Sequence, residues 1–439
     1  MTFGSILPTA VSRSVSRYRL LSFAAVAFAT LSLYSQAEAQ GPPDITHWSG
    51  NTALSQPQGF SMGSPLTLTW GFLRDGTLTT TFNGQTPASN FVAQFDATFG
   101  AGPGGNDFSQ RPWYTHFANS FDRWSQLSGL SYVYENADDG ANQTGNNRGI
   151  AGTRADVRIG GRNIDGQSGI LAFNSFPNNG DMVIDTADMA LYGQGTNSFR
   201  FLRNVVMHEH GHGIGCEHCE SSNASFLMEP FINTSFDGPQ YHDILLAQRG
   251  YGDRLEKSNS GLGNDTSSNA TSLGLLNMGG SFSLGNDARN LLVGASEVDF
   301  VSIDDQTDTD VFSFSIGQAG TVNALLESLG QTYQVGSQGG TQGAFNTAQR
   351  SDMTLTLLGS DGTTALFTSN VSSFGGNESL SFFLANAGTY YLRVTGADNG
   401  DTYFDTQFYG LSVNAVPEPA TLTALGLAVL ALSRRRAKK

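Results

Sequence analysis

Two cysteines in 439 residues leave no material for a disulfide framework, and both stand at one place, Cys216 and Cys219. Charge is scarce too: Asp, Glu, Lys and Arg make up 14% of the chain, against roughly 25% in an average globular protein. Positive charge is scarcest. Lys and Arg total 23 against 38 Asp and Glu, a formal net charge of −15, and Lys257 is the only lysine before the last two residues. Such a surface repels phosphate backbones, which argues against a nucleic-acid partner. The apolar runs at residues 20–34 and 421–432 fall short of the ~20 residues that a spanning helix needs. Glycine is plentiful at 53 residues, which predicts short strands, many turns and long polar loops. The length suits two or three domains of about 100–200 residues, and two cored units are expected.

Both ends read as addresses. Residues 1–39 carry Arg13, Arg17 and Arg19, then the apolar run, then Ala37-Glu38-Ala39, the pattern of a signal peptide cleaved after Ala39; an uncleaved anchor is the alternative. Residues 415–439 hold Val416-Pro417-Glu418-Pro419, the second apolar run, and Arg434-Arg435-Arg436-Ala437-Lys438-Lys439. A short apolar helix with a basic end stays at the inner membrane with that end in the cytoplasm. This segment resembles the PEP-CTERM sorting signal of Gram-negative bacteria; a plain amphipathic tail is the alternative. The resemblance implies export and C-terminal sorting machinery as partners and transient inner-membrane anchoring through residues 420–433. It also implies cleavage near the Pro-Glu-Pro and delivery to the Gram-negative envelope, cell surface or exterior.

Between the tails, residues 40–62 are rich in Pro, Gly, Ser and Asn without periodicity, an irregular lead-in. Residues 63–255 mix strand and helix patterns. Trp113, Phe117, Phe121 and Trp124 recur at helical spacing and predict a buried helix face. Two more helices are expected near residues 198–213 and 239–249. Strand alternation is expected from Leu66 to Trp70, at residues 131–134 and 155–159, and around 170–176 and 182–184. That mixture predicts an α/β or α+β unit. Residues 256–295 read as a linker and lead-in, with the polar stretch 257–272 as a tether. Residues 296–414 show short alternating runs, 311–316, 353–358, 380–384, 390–394 and 408–413, separated by turn signals, which predicts an all-β sandwich. DTDVFSFSIGQAGTV, SDMTLTLLGSDG and NAGTYYLRV resemble the pre-peptidase C-terminal domain found beside many secreted bacterial peptidases.

The chemistry is concentrated at His208-Glu209-His210-Gly211-His212-Gly213-Ile214-Gly215-Cys216-Glu217-His218. On a helix His208 and His212 stand one above the other, so two imidazoles reach one ion. Gly215 can take positive φ and end the helix, which brings His218 round as a third ligand. A catalytic zinc keeps its fourth position for water, and Glu209, beside the first ligand, is placed to take that water's proton.

His-Glu-x-x-His-x-x-Gly-x-x-His is the signature of metzincin metallopeptidases, and Phe226-Leu227-Met228-Glu229-Pro230 resembles their Met-turn, with Met228 as a floor under the metal. Pro230 two residues after Met228 is similar to matrixins, as are Ile164–Phe173 and Gly180–Asp188. The resemblance implies a metzincin-like catalytic domain with a mixed sheet and a long active-site helix. Ile170, Leu171, Ala172 and Phe173 would form the edge strand that pairs with substrate backbone. Pro230, Phe231 and Ile232 would line the main specificity pocket. Animal matrixins hold a second, structural zinc, but two of its ligand positions here are Phe173 and Val183, so only one zinc, the catalytic one, is expected. Asp165, Asp185 and Asp188, with the carbonyls of Gly166, Ser168 and Ile170, form a six-oxygen pattern for structural calcium; solvated turn aspartates are the alternative.

Cys219 stands where matrixins commonly have Ser or Thr and forms Cys-x-x-Cys with Cys216, open to a redox pair, extra metal ligation, a local disulfide or two incidental side chains. With no cysteine before residue 216, a propeptide cysteine switch is ruled out. The resulting expectation is a secreted zinc endopeptidase acting on extracellular or envelope proteins. A non-catalytic surface or matrix-binding protein with a structural zinc site is the alternative, and Glu209 argues against it.

Overall fold

A computed structural model describes residues 19–23, 44–144, 148–397 and 405–417. The expected cleavage site after Ala39 and the basic, apolar C-terminal run lie outside these residues. Among the described residues no helix is long and apolar enough to cross a membrane.

The first unit is built on a six-stranded mixed sheet in the order β1-β5-β6-β4-β2-β3. The strands are β1 (Arg19–Phe23), β2 (Leu66–Phe72), β3 (Leu130–Tyr134), β4 (Val157–Arg162), β5 (Ile170–Ser175) and β6 (Met182–Asp185). All neighbours are parallel except β5 and β6, so β1 and β5 together run against the other four strands, and β5 has only β1 on its outer side. The expected aromatic stripe lies on α2 (Tyr114–Leu127), where Trp113, Phe117, Phe121 and Trp124 are buried. Trp70 of β2 stacks on Phe121 at 4.6 Å between ring centroids, which fixes the helix on the sheet. Helix α1 (Phe91–Phe99) is not anticipated from the sequence; it buries Phe91 and Phe95, one turn apart, on the same aromatic core. A single turn, α3 (Met189–Tyr192), follows β6, and the motif lies on α4 (Arg200–Gly213). Trp124 donates its indole N–H to the Met207 carbonyl at 3.0 Å, tying α2 to α4. The unit closes with α5 (Tyr241–Tyr251).

The lead-in 44–62 is irregular, as its composition predicts, but it has a structural task. Trp48 is buried and donates Nε1–H to the Gly213 carbonyl at 2.9 Å, and Thr46 N–H donates to Gly215 O at 3.2 Å. A Cβ on Gly215, at φ +107°, would meet Thr46 O at 1.3 Å. Only glycine permits both the turn and the clamp.

The second unit is a β-sandwich. One sheet follows the order β10-β19-β12-β17 with β9 also on β19; the other follows β16-β15-β18-β11-β8. The first comprises β9 (Ser281–Leu284), β10 (Ser302–Ile303), β12 (Gly320–Ser328), β17 (Glu378–Leu384) and β19 (Gln407–Val416). The second comprises β8 (Thr271–Leu275), β11 (Thr309–Ile316), β15 (Thr354–Leu358), β16 (Ala365–Ser369) and β18 (Gly388–Thr395). Alternate residues of the facing strands, among them Phe312, Phe314, Val322, Leu355, Leu392 and Val413, make its core.

The polar stretch 257–272 is not a free tether. The Lys257 ammonium donates to Ser125 Oγ at 2.9 Å and to the Leu130 carbonyl at 3.1 Å, and burial lowers its pKa to about 8. A third, three-stranded sheet joins the units: β14 (Gly343–Asn346), β13 (Thr332–Ser337) and β7 (Cys219–Glu220), the last starting next to His218. Phe300, Tyr333, Val335, Phe345 and Phe408 of the second unit belong to the same apolar cluster as Phe226, Tyr241 and Trp124 of the first. Composition marked the stretch as flexible, whereas the apolar residues on both sides of it share a core.

Candidate metal centre

Helix α4 presents His208 and His212 on one face, and Gly215 turns the chain so that His218 returns to them. His208 Nε2 lies 3.1 Å and His212 Nε2 3.2 Å from His218 Nε2, and all three rings are buried. Each Nδ1 faces an oxygen that can only accept: Leu227 O at 2.6 Å from His208, Cys216 O at 2.7 Å from His212, and Gln338 Oε1 at 2.8 Å from His218. Each Nδ1 therefore carries the proton, and three Nε2 lone pairs converge. Burial, then the neighbouring imidazoles, holds His208 and His212 well below their usual pKa; burial also lowers His218, opposed by Gln338 and Glu220. Neutral rings with lone pairs directed at one point repel each other unless a cation lies between them, so the donor set fits a metal ion. Among the described residues no further His, Cys, Asp or Glu joins this group.

Glu209 is fully buried, and neither carboxylate oxygen has a hydrogen-bond partner; burial pushes its pKa well above the usual carboxylate range. A buried, unpaired carboxylate costs stability, which marks it as a group held for another purpose. His210 points away from the cluster: Nε2 lies 2.6 Å from the Tyr132 hydroxyl, and the ring packs on Phe121.

Met228 lies under α4. A Cβ on Gly211 would meet its sulfur at 2.3 Å, so glycine between the second and third histidines of the run makes room for the methionine. The Met228 turn is held by Asp243, which sequence reasoning did not single out. Its carboxylate accepts from the amides of Leu227 at 2.7 Å, Met228 at 3.1 Å and Gln240 at 2.7 Å. The Gln240-x-x-Asp243 spacing at the start of α5 is a capping box, a signal that could have drawn attention to it.

Leu171, Ala172 and Phe173 are buried on β5 while Ile170 is half-buried. Phe173 and Val183 pack with Phe82 in a small apolar cluster, so these side chains do not fit a second zinc. The loop aspartates are tied to loop amides, but among the described residues their carboxylate oxygens do not form a group within 4.8 Å of one another. Asp165 accepts from Ile170 N–H at 3.1 Å, Asp185 from Asp165 N–H at 3.2 Å, and Asp188 Oδ1 from Ser168 N–H at 2.8 Å. Asp188 Oδ2 is buried without a partner, and burial, with Asp185 and Asp165 nearby, raises this carboxyl to about 6. Pro230 is buried, and Phe231 and Ile232 are half-buried beyond the Met228 turn. Cys216 and Cys219 are buried free thiols in the apolar cluster. A second acidic group, missed from the sequence, places oxygens of Glu256, Asp265 and Asp308 within 4.8 Å of one another.

Two buried histidines on a helix that also carries an unpaired glutamate, with a third returned to them beyond its end, define a metallopeptidase-type centre. Residues 94–252 match the matrixin peptidase family, and residues 415–437 match the PEP-CTERM protein-sorting motif. The chain thus carries a matrixin domain, which implies a metallopeptidase, and a sorting motif that indicates export and association with the cell envelope. No curated protein matches the chain. Among solved structures, it is similar to the pre-peptidase C-terminal domain of a collagenase from Bacillus anthracis. That similarity has 20% identity and a TM-score of 0.20, over 33% of this chain and 94% of that one. It is similar to PliG, a periplasmic inhibitor of g-type lysozyme from Aeromonas hydrophila, with 12% identity and a TM-score of 0.18, over 33% and 96%. It is also similar to Myroilysin, with 13% identity and a TM-score of 0.19, over 51% and 75%.

Proposed function

We propose that the protein is an exported zinc endopeptidase that hydrolyses peptide bonds of extracellular or envelope proteins in a Gram-negative bacterium. The convergence of three protonation-fixed imidazoles carries this reading. His208, His212 and His218 would hold one zinc through Nε2. When bound, zinc polarises a carbonyl and lowers the pKa of water towards ~7. Glu209, beside the first ligand, would take a proton from the attacking water and pass it to the leaving amine. Strand β5 is covered by Arg19–Phe23 and is not the sheet edge here. Once cleavage after Ala39 removed that segment, β5 would become an edge able to align an extended substrate, and its pairing with Arg19–Phe23 along Ile170–Ser175 supports its ability to accept a strand. Pro230, Phe231 and Ile232 would line the specificity pocket. A structural zinc site would be closed by a fourth protein ligand, which the histidine group lacks among the described residues.

The test is cleavage of a peptide library by purified residues 40–419. Cleavage should stop on zinc chelation and return on adding zinc; cleavage indifferent to chelation, or none by zinc-loaded protein, would refute the reading.

Calcium at Asp165, Asp185 and Asp188, completed by the carbonyls of Gly166, Ser168 and Ile170, is part of the same proposal. The unpaired Asp188 Oδ2 supports it. At calcium about 100 times its Kd, binding adds about 2.7 kcal/mol, and removing it should lower Tm by on the order of 5 °C. The shift should vanish in Asp188→Asn. A parent whose melting ignores a calcium-selective chelator that spares zinc would exclude calcium there.

A further inference from the structure

We propose that Gln338, at the tip of the β13–β14 hairpin, is a positioning residue of the metal centre, so that the second unit completes the site of the first. The inference rests on the zinc reading above. Two of the three imidazoles are oriented by main-chain carbonyls of their own domain, Leu227 O and Cys216 O. His218 differs. It lies beyond the helix, and its Nδ1 is held by a side-chain amide 120 residues later, Gln338 Oε1 at 2.8 Å.

The hairpin is fixed where this bond requires it. Strand β13 pairs antiparallel with β7, Gly336 opposite Glu220 and Ser337 opposite Cys219. Ser221 Oγ donates to Gln334 O at 2.6 Å, Gln334 N–H to Asn223 Oδ1 at 2.9 Å, and Gly339 N–H to Glu220 Oε2 at 3.2 Å. On the inner side Tyr333 is buried, with its hydroxyl 2.8 Å from His242 Nδ1. A Cβ at Gly336 would meet Thr341 O at 2.6 Å, so the returning strand lies close and the tip has little room to shift. The segment directly after the third ligand, Cys219–Glu220, is thereby one strand of a sheet whose other two strands come from the second unit.

An amide oxygen selects the Nδ1–H tautomer of His218 and aims Nε2 at the metal without adding charge. Removing such a partner typically costs 10–100-fold in metal affinity. Gln338 is itself exposed, so water replaces part of the bond, and the lower end of that range applies.

The experiment measures zinc affinity by chelator competition on purified residues 40–419. Gln338→Ala should bind zinc about 10-fold more weakly, with metal-free Tm unchanged. Gln338→Glu, which keeps an acceptor, should stay within a few-fold of the parent, and Thr341→Ala, on the exposed tip, should match it. At saturating zinc, Gln338→Ala should recover most of its kcat. Gln338→Ala that binds zinc as tightly as Thr341→Ala would overturn the assignment, as would an equal loss in all three variants. If the parent takes up no zinc, the zinc reading itself falls, a result distinct from either.

Discussion

Glu209→Gln is expected to keep zinc bound and to lower kcat by about 10²–10⁴-fold, the usual worth of a positioned acid–base group. The substitution is nearly isosteric at a site where the side chain is fully buried, and the three imidazoles keep their Nδ1 partners at Leu227, Cys216 and Gln338. What is lost is the capacity to hold and release a proton. A fully buried carboxylate with no hydrogen bond holds a proton more readily than an exposed one, because burial disfavours its charge. An amide in the same volume is neither base nor acid at any working pH. Single-turnover cleavage with zinc content measured on the same sample checks this. Full activity in a zinc-loaded Glu209→Gln variant would remove Glu209 from the mechanism, and loss of zinc together with activity would make its role structural.

The centre was legible because its determinants are local. Four-residue spacing puts His208 and His212 on one helix face whatever surrounds them, and Gly215 announces the turn that returns His218. The aromatic stripe of α2 was legible for the same reason. Asp243 was harder to see, since its value lies in three amides, two of them on the Met228 turn, that only the fold brings to it. Gln338 was not legible at all. Its segment, TYQVGSQGG, alternates only at Tyr333 and Val335, and the partner that matters is 120 residues earlier. The stretch 257–272 misled for a related reason: composition describes the segment, whereas its mobility depends on whether the units at its ends share a core. For the loop aspartates, spacing and residue type announced a turn; only packing shows that Asp188 keeps one oxygen buried and unpaired.

That shared core predicts the second large effect: residues 40–256 alone should fail to form a cooperative, active enzyme. Tyr241 packs on Phe408 with ring centroids 5.1 Å apart and on Tyr333 at 6.2 Å, and Phe226 packs on Tyr333 at 5.3 Å. His242 lies against Phe345 at 6.0 Å, and Gln240 accepts the Val293 amide at 2.9 Å. Truncation removes Phe300, Leu329, Tyr333, Val335, Phe345 and Phe408 from one cluster. Large apolar side chains contribute roughly 1.5–3 kcal/mol each when fully buried, so six together rival the whole 5–15 kcal/mol that keeps a typical domain folded. The helix most exposed by the cut is α5, whose Asp243 holds the Met228 turn, and the same cut takes Gln338 from His218. Damage should therefore reach the metal centre and not stop at the surface. Residues 40–419 should melt in one transition, while residues 40–256 should be insoluble or should lack near-UV circular dichroism and peptide cleavage. A soluble fragment with a sharp melt and parent-like kcat/KM would show that the matrixin domain stands alone and that the second unit only covers it.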